Sequence, residues 1–399
     1  MNRTDVLQTA MNSTEAALPS TRSADPPVES GSLRGEWIST TEEFEQLGAE
    51  WMELFERAGC ENAFLSFDWM FTWWKHWAKG RRLAIITVRN ACGNLVGLAP
   101  FYVTRSFPDG LNQRRVSFLA DNHTGSDYLN ILTEPDCEEA AVEAIVQTLA
   151  IHHSKWDYIE LRDAEDSPLF ERLSARLEQG GLTAHRAPAS VCHHVPLPAS
   201  FEKYLAGISA NLRCNFRRRS RAIQSDGHFE FGSLSSAEDL ERHFPDLLRL
   251  HGMRFQQRGC PSAFLEPGVP AFHLDVVKRL AARGWARLFL IRVNGEIVAI
   301  LYGFSMGKTF QFYQCGMHTD WLKNGVGQLM IGYSIQEAIR AGHREFDFLR
   351  GDESYKTQWA EDFRRTITVR YYDRRPASLA ALAAFRAIAA LRRARSVLR

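Results

Sequence analysis

The side chains best suited to chemistry crowd into one stretch near the C-terminal end, between His318 and Trp359. Its first part, Trp321-Leu322-Lys323-Asn324-Gly325-Val326-Gly327-Gln328, follows a strand-like run and leads into a helix-like one. Two glycines at alternate positions let a backbone come close to a ligand. The first N–H groups of a helix lack intrahelical partners, so such a tip is a ready cradle for phosphate. Asn324, Gly325, Val326, Gly327 and Gln328 are therefore candidates for holding a phosphate-bearing group, with a plain turn before a helix as the alternative. A redox dinucleotide fingerprint needs a third glycine, and position 330 is Met, which argues against it. The second part, REFDFLRGDESYKTQWA, reads as a buried strand ended by Arg350-Gly351-Asp352. Open α/β sheets collect functional side chains just beyond the carboxyl ends of strands. Asp352, Glu353, Tyr355 and Lys356 stand there, and carboxylate, phenol and amine together suit proton transfer and anion stabilisation.

Two further segments offer polar ligands. SANLRCNFRRRSRAI carries five arginines, of which Arg213, Arg217 and Arg221 share one helical face. Guanidinium forks suit phosphate or carboxylate, so Arg213 and Arg217 are candidate substrate ligands, against the plainer reading of a solvated face. The loop DNHTGSDY adds His123 and Asp127 as substrate-side candidates. Cys192-His193-His194 sits in a strand-like run, where neighbouring side chains face opposite ways, so no metal site is expected. An HExxH motif and a complete P-loop are absent, which leaves metal-hydrolase and nucleoside-triphosphatase readings without direct support.

The elements that must position these groups follow from length, composition and periodicity. A chain of 399 residues suits two domains, and 45% hydrophobic with 24% charged residues is the balance of a globular protein. Lys and Arg number 48 against 47 Asp and Glu, a formal charge of +1, so nucleic acid is not expected as the main partner. No run is apolar for long enough to span a membrane, and the N-terminal stretch lacks the apolar core of a secretory signal. Seven scattered cysteines without CxxC suggest reduced thiols and a cytoplasmic location. Residues 1–34, rich in Ser, Thr, Pro and Ala, read as a disordered leader. A helix is expected over residues 41–55 with Thr41 as its cap, and Trp69, Trp73 and Trp77 mark one face of another. That stripe is expected in the core, with a ligand wall as the alternative. Strands are expected at 83–88, 95–103, 115–119, 128–132 and 156–161, and helices at 138–152 and 168–180. The second half repeats this order, with strands at 286–292 and 297–304 joined by Asn294-Gly295, then 309–314, a helix at 327–340 and a strand at 345–349. ACGNLVGLAPF parallels VNGEIVAILYGF, and WDYIELRD parallels REFDFLRG, which points to two copies of one α/β unit. The expected divisions are lobes at 35–190 and 191–375 and a basic amphipathic helix at 376–399. That helix is expected to dock on the body, with contact to an anionic membrane surface as the alternative.

FLSFDWMFTWWKHWAKG, NLRCNFRRRSR and above all FDFLRGDESYKTQWA resemble the GNAT-type acyltransferases of the CelD/BcsL-like family, over residues 37–372. That family is linked in bacteria to cellulose and other exopolysaccharide biosynthesis. The resemblance implies an α/β fold of tandem GNAT-like domains, each a mostly antiparallel or mixed sheet flanked by helices, similar to the Fem peptidyltransferases. It implies acyl-CoA, acetyl-CoA in the first instance, as a co-substrate, with no tightly bound cofactor. The GNAT loop of the form Arg/Gln-x-x-Gly-x-Gly/Ala cradles the coenzyme A pyrophosphate; Gly325 and Gly327 match it, while Leu322 stands at the Arg/Gln position. The implied reaction is direct acyl transfer to an amine or hydroxyl of a small-molecule acceptor, a sugar, amine or amino-acid-like compound. Asp352 or Glu353 is then the expected base, Tyr355 the acid for the leaving thiolate and Lys356 an anion ligand. Two alternatives stand beside it: a Fem-like transferase using aminoacyl-tRNA, and a non-catalytic GNAT-like scaffold of a polysaccharide synthase complex.

Overall fold

The computed structural model describes residues 33–106, 112–225 and 227–397. The expected leader lies outside the described residues as far as position 32, and Arg34 already opens the first strand. The first half of the chain runs β1 (Arg34–Ile38), α1 (Thr41–Gln46), α2 (Gly48–Arg57), α3 (Phe67–Trp77), β2 (Arg81–Leu83), β3 (Ile85–Arg89), β4 (Leu95–Ala99), β5 (Phe101–Ser106), β6 (Gln113–Phe118), β7 (Leu132–Thr133), α4 (Glu138–Ile151), β8 (Tyr158–Glu165), α5 (Pro168–Gln179) and β9 (Thr183–Pro196). The second half runs α6 (Phe201–Gly207), α7 (Ala210–Ser225), β10 (Phe229–Leu234), α8 (Ala237–Gln257), α9 (Val269–Ala282), β11 (Ala286–Val293), β12 (Glu296–Met306), β13 (Thr309–Met317), α10 (Val326–Arg340), β14 (Glu345–Arg350), α11 (Lys356–Trp359), β15 (Asp362–Tyr372) and α12 (Pro376–Val397).

Local rules explain most of these elements, and their departures are instructive. Thr40, not Thr41, caps α1: its hydroxyl accepts from the Glu43 N–H at 3.2 Å while the Glu43 carboxylate accepts from the Thr40 N–H at 3.0 Å. The expected strands at 83–88 and 95–103 each break, at Ala84 and at Pro100, which has no N–H to continue a ladder. The breaks carry the chain from one sheet to another. β3 and β4 join a four-stranded sheet ordered β1-β3-β4-β7, whereas β2 and β5 lie at the end of an eleven-stranded sheet. The strand expected at 128–132 shrinks to a bridge at Leu129 and the short β7, because Tyr128 adopts φ 55°.

The large sheet runs β10-β11-β12-β13-β14-β9-β15-β8-β6-β5-β2 through both halves. β9 crosses position 190 without interruption, pairing with β15 and, over Cys192–Pro196, with β14. β15, the last strand, inserts between β9 and β8 of the first half. Trp69 and Trp73 are fully buried, with their indole N–H groups donating to Ser126 Oγ and the Asn122 carbonyl, so the tryptophan stripe is core. Trp69 also meets Phe272, Phe304 and Tyr313, which knits α3 to the second half. α12 docks on the body through Ala381, Leu382 and Phe385, beside Tyr158 and Tyr372. Among the described residues no helix is long and apolar enough to cross a membrane.

One irregularity of the sheet matters for function. β13 and β14 are parallel neighbours, yet they pair only over Thr309–Gln311 and Glu345–Asp347. Beyond that they diverge. The kink in β14 is set by Leu349 at φ 54°, whose N–H donates to the buried Asp347 carboxylate at 2.7 Å.

Candidate active site

Where β13 and β14 cease to pair, two neighbouring cavities lie against them. On one side, a cavity of about 190 Å³ is lined by Met317 of β13, Gly327, Gln328 and Ile331 of α10, and Gln358 and Trp359 of α11. On the other, a more polar cavity of about 300 Å³ is lined by His251, Arg258, Tyr313, Gln314, Arg350, Glu353 and Lys356, among others. Arg254, Phe312, Cys315 and Tyr355 line both, so the two spaces meet at these four side chains.

The tip of α10 brings a glycine cap, first-turn N–H groups and a guanidinium together, though not with every residue of the glycine loop lining the cavity. Gly325 caps the helix at φ 74°, a conformation that disfavours a side chain. A Cβ there would also come within 2.4 Å of Arg219 Cδ. Arg219 lies across the loop and donates to Gln328 Oε1 at 2.6 Å, which brings a guanidinium to the helix tip. The N–H groups of Val326 and Gly327 are first-turn donors that helix geometry leaves unpaired. The Gln328 N–H donates to the Gly325 carbonyl at 2.9 Å. Gly327 and Gln328 line the cavity, Asn324 is exposed, and Val326 contributes only its backbone because its side chain is fully buried.

Tyr355 is half-buried at the junction, with the Arg254 guanidinium over its ring at 5.8 Å. Burial, reinforced by Glu353, raises the phenol above its ordinary value, against the pull of Arg254. The phenol is therefore a proton donor throughout the neutral range. Glu353 shares the polar cavity, 3.1 Å from Lys356 Nζ. Gly351, at φ 122°, leaves room for both side chains; a Cβ there would stand 2.3 Å from Glu353 Oε2. His251 is buried beside them, and burial brings its imidazole down to about 4. Both ring nitrogens are engaged, Nδ1 with the Cys315 carbonyl and Nε2 with Ser262 Oγ, so it is a fixed neutral strut. Burial also pushes the Cys315 thiol up to about 11, which keeps it out of the thiolate form.

Several expected site residues have other work. The Asp352 side chain is 80% exposed, turned toward His193 at 3.6 Å, and lines neither cavity. Lys356 is buried and donates to the carbonyls of Leu349 at 3.2 Å and Arg350 at 2.5 Å, so it straps the end of β14. Arg213 donates to the carbonyls of Leu205, Ala206 and Ile208 and thereby caps α6, while Arg217 is exposed on α7. His123 stacks on Trp77 at 5.1 Å, outside both cavities. Asp127 does line the polar cavity, but both its oxygens are taken: it accepts from Arg350 N–H at 2.9 Å and Nε at 2.6 Å. Burial works against the charge on Arg350, yet Asp127 and Asp163 outweigh it and raise the guanidinium's pKa. This pair pins the first half to the end of β14. Arg219 and Arg254 are site residues that sequence motifs do not single out. Arg219 lies within the arginine run, whereas Arg254 has no local signal at all.

Residues 210–357 match the family model described as an acetyltransferase (GNAT) domain. This stretch resembles a GNAT acetyltransferase domain. Among solved structures, FemX superposes with a TM-score of 0.56 at 11% identity, covering 84% of this chain and 96% of that one. The C-terminal domain assigned to a lysylphosphatidylglycerol synthetase from Agrobacterium fabrum gives 0.50 at 10% identity, covering 86% and 95%. At such identity the likeness is one of fold, and it places the chain among tandem GNAT-like α/β structures, as the sequence suggested. No curated protein matches the chain in sequence.

Proposed function

We propose that the chain is an acyltransferase that moves an acyl group, acetyl in the first instance, from acyl-CoA to an amine or hydroxyl of a small-molecule acceptor. The observation that carries this reading is the pair of cavities sharing Tyr355 where β13 and β14 cease to pair, one beside the α10 tip that Arg219 reaches through Gln328 and the other lined by Glu353. The GNAT match over residues 210–357 supports it. The Val326 and Gly327 N–H groups and Arg219 suit the pyrophosphate of the donor. The smaller cavity suits the thioester arm, and the polar cavity suits the acceptor.

In this reading Glu353 takes the proton of the attacking amine or hydroxyl as the new C–N or C–O bond forms. The thioester C–S bond breaks, and Tyr355 hands its proton to the departing thiolate. Asp352 has no part, and Lys356 acts by holding β14. A place in exopolysaccharide or cell-envelope synthesis is what the resemblance to CelD/BcsL-like proteins suggests for this chemistry.

The aminoacyl-tRNA alternative rests on likeness to FemX, which is a likeness of fold. The two longest helices among the described residues, α8 and α12, pack on β13 and β15. The test is acceptor-dependent thiol release from acetyl-CoA with a panel of amines, amino acids and sugars. Strict dependence on charged tRNA would favour the alternative, and failure to bind either donor in calorimetry would leave a scaffold.

A further inference from the structure

The polar cavity of about 300 Å³ beside Tyr355 holds more positive charge than its own residues neutralise. Asp127 and Glu353 line it on the acidic side, and Arg254, Arg258, Arg350 and Lys356 on the basic side. Arg350 is paired with Asp127 at 2.6 Å and Lys356 with Glu353 at 3.1 Å, so these charges cancel. His251 adds none, because burial holds its imidazole neutral. Arg254 and Arg258 remain, and neither meets a carboxylate among the described residues. Arg254 lies with its guanidinium over the Tyr355 ring at 5.8 Å, and Arg258 is exposed at the end of α8.

The sequence of α8 accounts for this surplus. Earlier in the helix an arginine finds a carboxylate three or four residues before it: Arg242 meets Glu238 at 2.6 Å and Arg249 meets Asp246 at 3.3 Å. Leu250 and His251 hold those positions before Arg254, and Arg254 and Phe255 hold them before Arg258. Two like charges therefore stand one turn apart at the helix end. A second observation comes from β13. Its register against β12 shifts at Tyr313, and this bulge lets the neighbours Tyr313 and Gln314 both line the cavity. Gln314 is half-buried, and its side-chain amide has no hydrogen-bond partner among the described residues. Its N–H donors and two guanidinium forks thus border one space, and no acceptor from the chain meets them.

We propose that the acceptor carries an anionic group, a carboxylate or a phosphate, near its nucleophile, and that Arg254 and Arg258 hold this group with Gln314 beside them. Guanidinium forks take either oxyanion through paired N–H donors. With the anion held at the end of α8, the amine or hydroxyl of the same molecule is confined to a cavity that Glu353 and Tyr355 also line. The class is then an amino acid or a phosphorylated sugar, and neither a neutral sugar nor a plain amine. The nucleophile's part in this rests on the acyl-transfer reading; the binding of the anion does not.

The test uses matched compounds with and without the anion: glucosamine 6-phosphate against glucosamine, and L-serine against L-serinamide. Calorimetry of the full chain reads binding, and thiol release from acetyl-CoA reads transfer. In at least one pair the anionic member is expected to lead by at least about tenfold in affinity and in kcat/KM, and which pair does so tells phosphate from carboxylate. Arg258→Gln is expected to remove most of this preference and Arg258→Lys to keep part of it, with coenzyme A affinity and melting temperature unchanged in both. Arg242→Gln keeps all of it. Equal binding of charged and neutral members, or binding of neither, overturns the proposal. So does a preference that survives Arg258→Gln, or one lost as fully in Arg242→Gln, which would reduce the effect to overall charge. Weaker coenzyme A binding by Arg258→Gln would give the arginine to the donor and overturn it as well. Anion-selective binding without thiol release keeps this inference and removes the acyl-transfer reading, whereas thiol release indifferent to the anion does the reverse.

Discussion

Replacing Tyr355 by Phe isolates one hydroxyl at the meeting point of the two cavities. The ring stays, and with it the cation–π contact to Arg254 at 5.8 Å and the apolar wall of the donor side. Donor binding should therefore hardly change. The chemical step loses its acid, which burial and Glu353 keep protonated well beyond neutrality. General acid catalysis of this kind is worth about 10²–10⁴-fold, equivalent to about 2.7–5.4 kcal/mol of activation free energy. A thiolate needs a proton less as the pH passes the ordinary thiol value of about 8.5, so the defect should shrink between roughly pH 7 and 9.5. The assay is stopped-time thiol release from acetyl-CoA across that range, paired with calorimetry of coenzyme A. A loss below about tenfold would refute the reasoning. So would a loss of coenzyme A affinity large enough to account for the fall in kcat/KM.

Gly327→Val places a branched side chain against Met317, whose Cε stands 2.9 Å from the added Cβ, and narrows the donor cavity. Coenzyme A affinity should fall by at least about tenfold, about 1.4 kcal/mol in calorimetry, with the fold unchanged by circular dichroism. Arg350→Ala leaves the Asp127 carboxylate buried and unpaired, and should cost about 3–5 kcal/mol in urea unfolding; Asp127→Ala added to it should recover part of that loss. His251 and His273 are held neutral by burial, at about 4 and about 3. The unfolded chain binds protons at these positions from the ordinary value of about 6.5 downward, so stability is intact above that pH and falls as the pH drops toward 4. The slope near pH 5 should reach about 1.2–1.3 kcal/mol per pH unit for each imidazole. An unfolding midpoint that is flat from pH 6.5 to 4.5 in His251→Gln and native chain alike would remove His251 from this account.

Short-range signals make part of this protein legible in its amino-acid order. The helix start at Gly325-Val326-Gly327, the hairpin turn at Asn294-Gly295 (φ 52° and 83°) and the strand ending at Arg350-Gly351 are all written in a few neighbouring residues. The same is true of the tryptophan stripe of α3, since helical spacing alone says which face is buried. Roles are harder to read than places. Lys356 and Arg213 carry the right chemistry for an anion, and it is spent on backbone carbonyls at the end of β14 and the end of α6. Nothing local distinguishes a lysine that meets a ligand from one that satisfies the chain itself.

By itself the sequence determined the hairpin at Asn294-Gly295, the buried face of α3 and the loop that opens α10, because these depend on residues a few positions apart. Only the tertiary structure decided that Arg219 and Arg254 come to the site, that Asp127 is spent on Arg350, and that β15 returns to stand between β9 and β8. Those outcomes join residues more than a hundred positions apart. They are settled by competition among strand edges and buried charges for partners, and no periodicity along the chain records who wins.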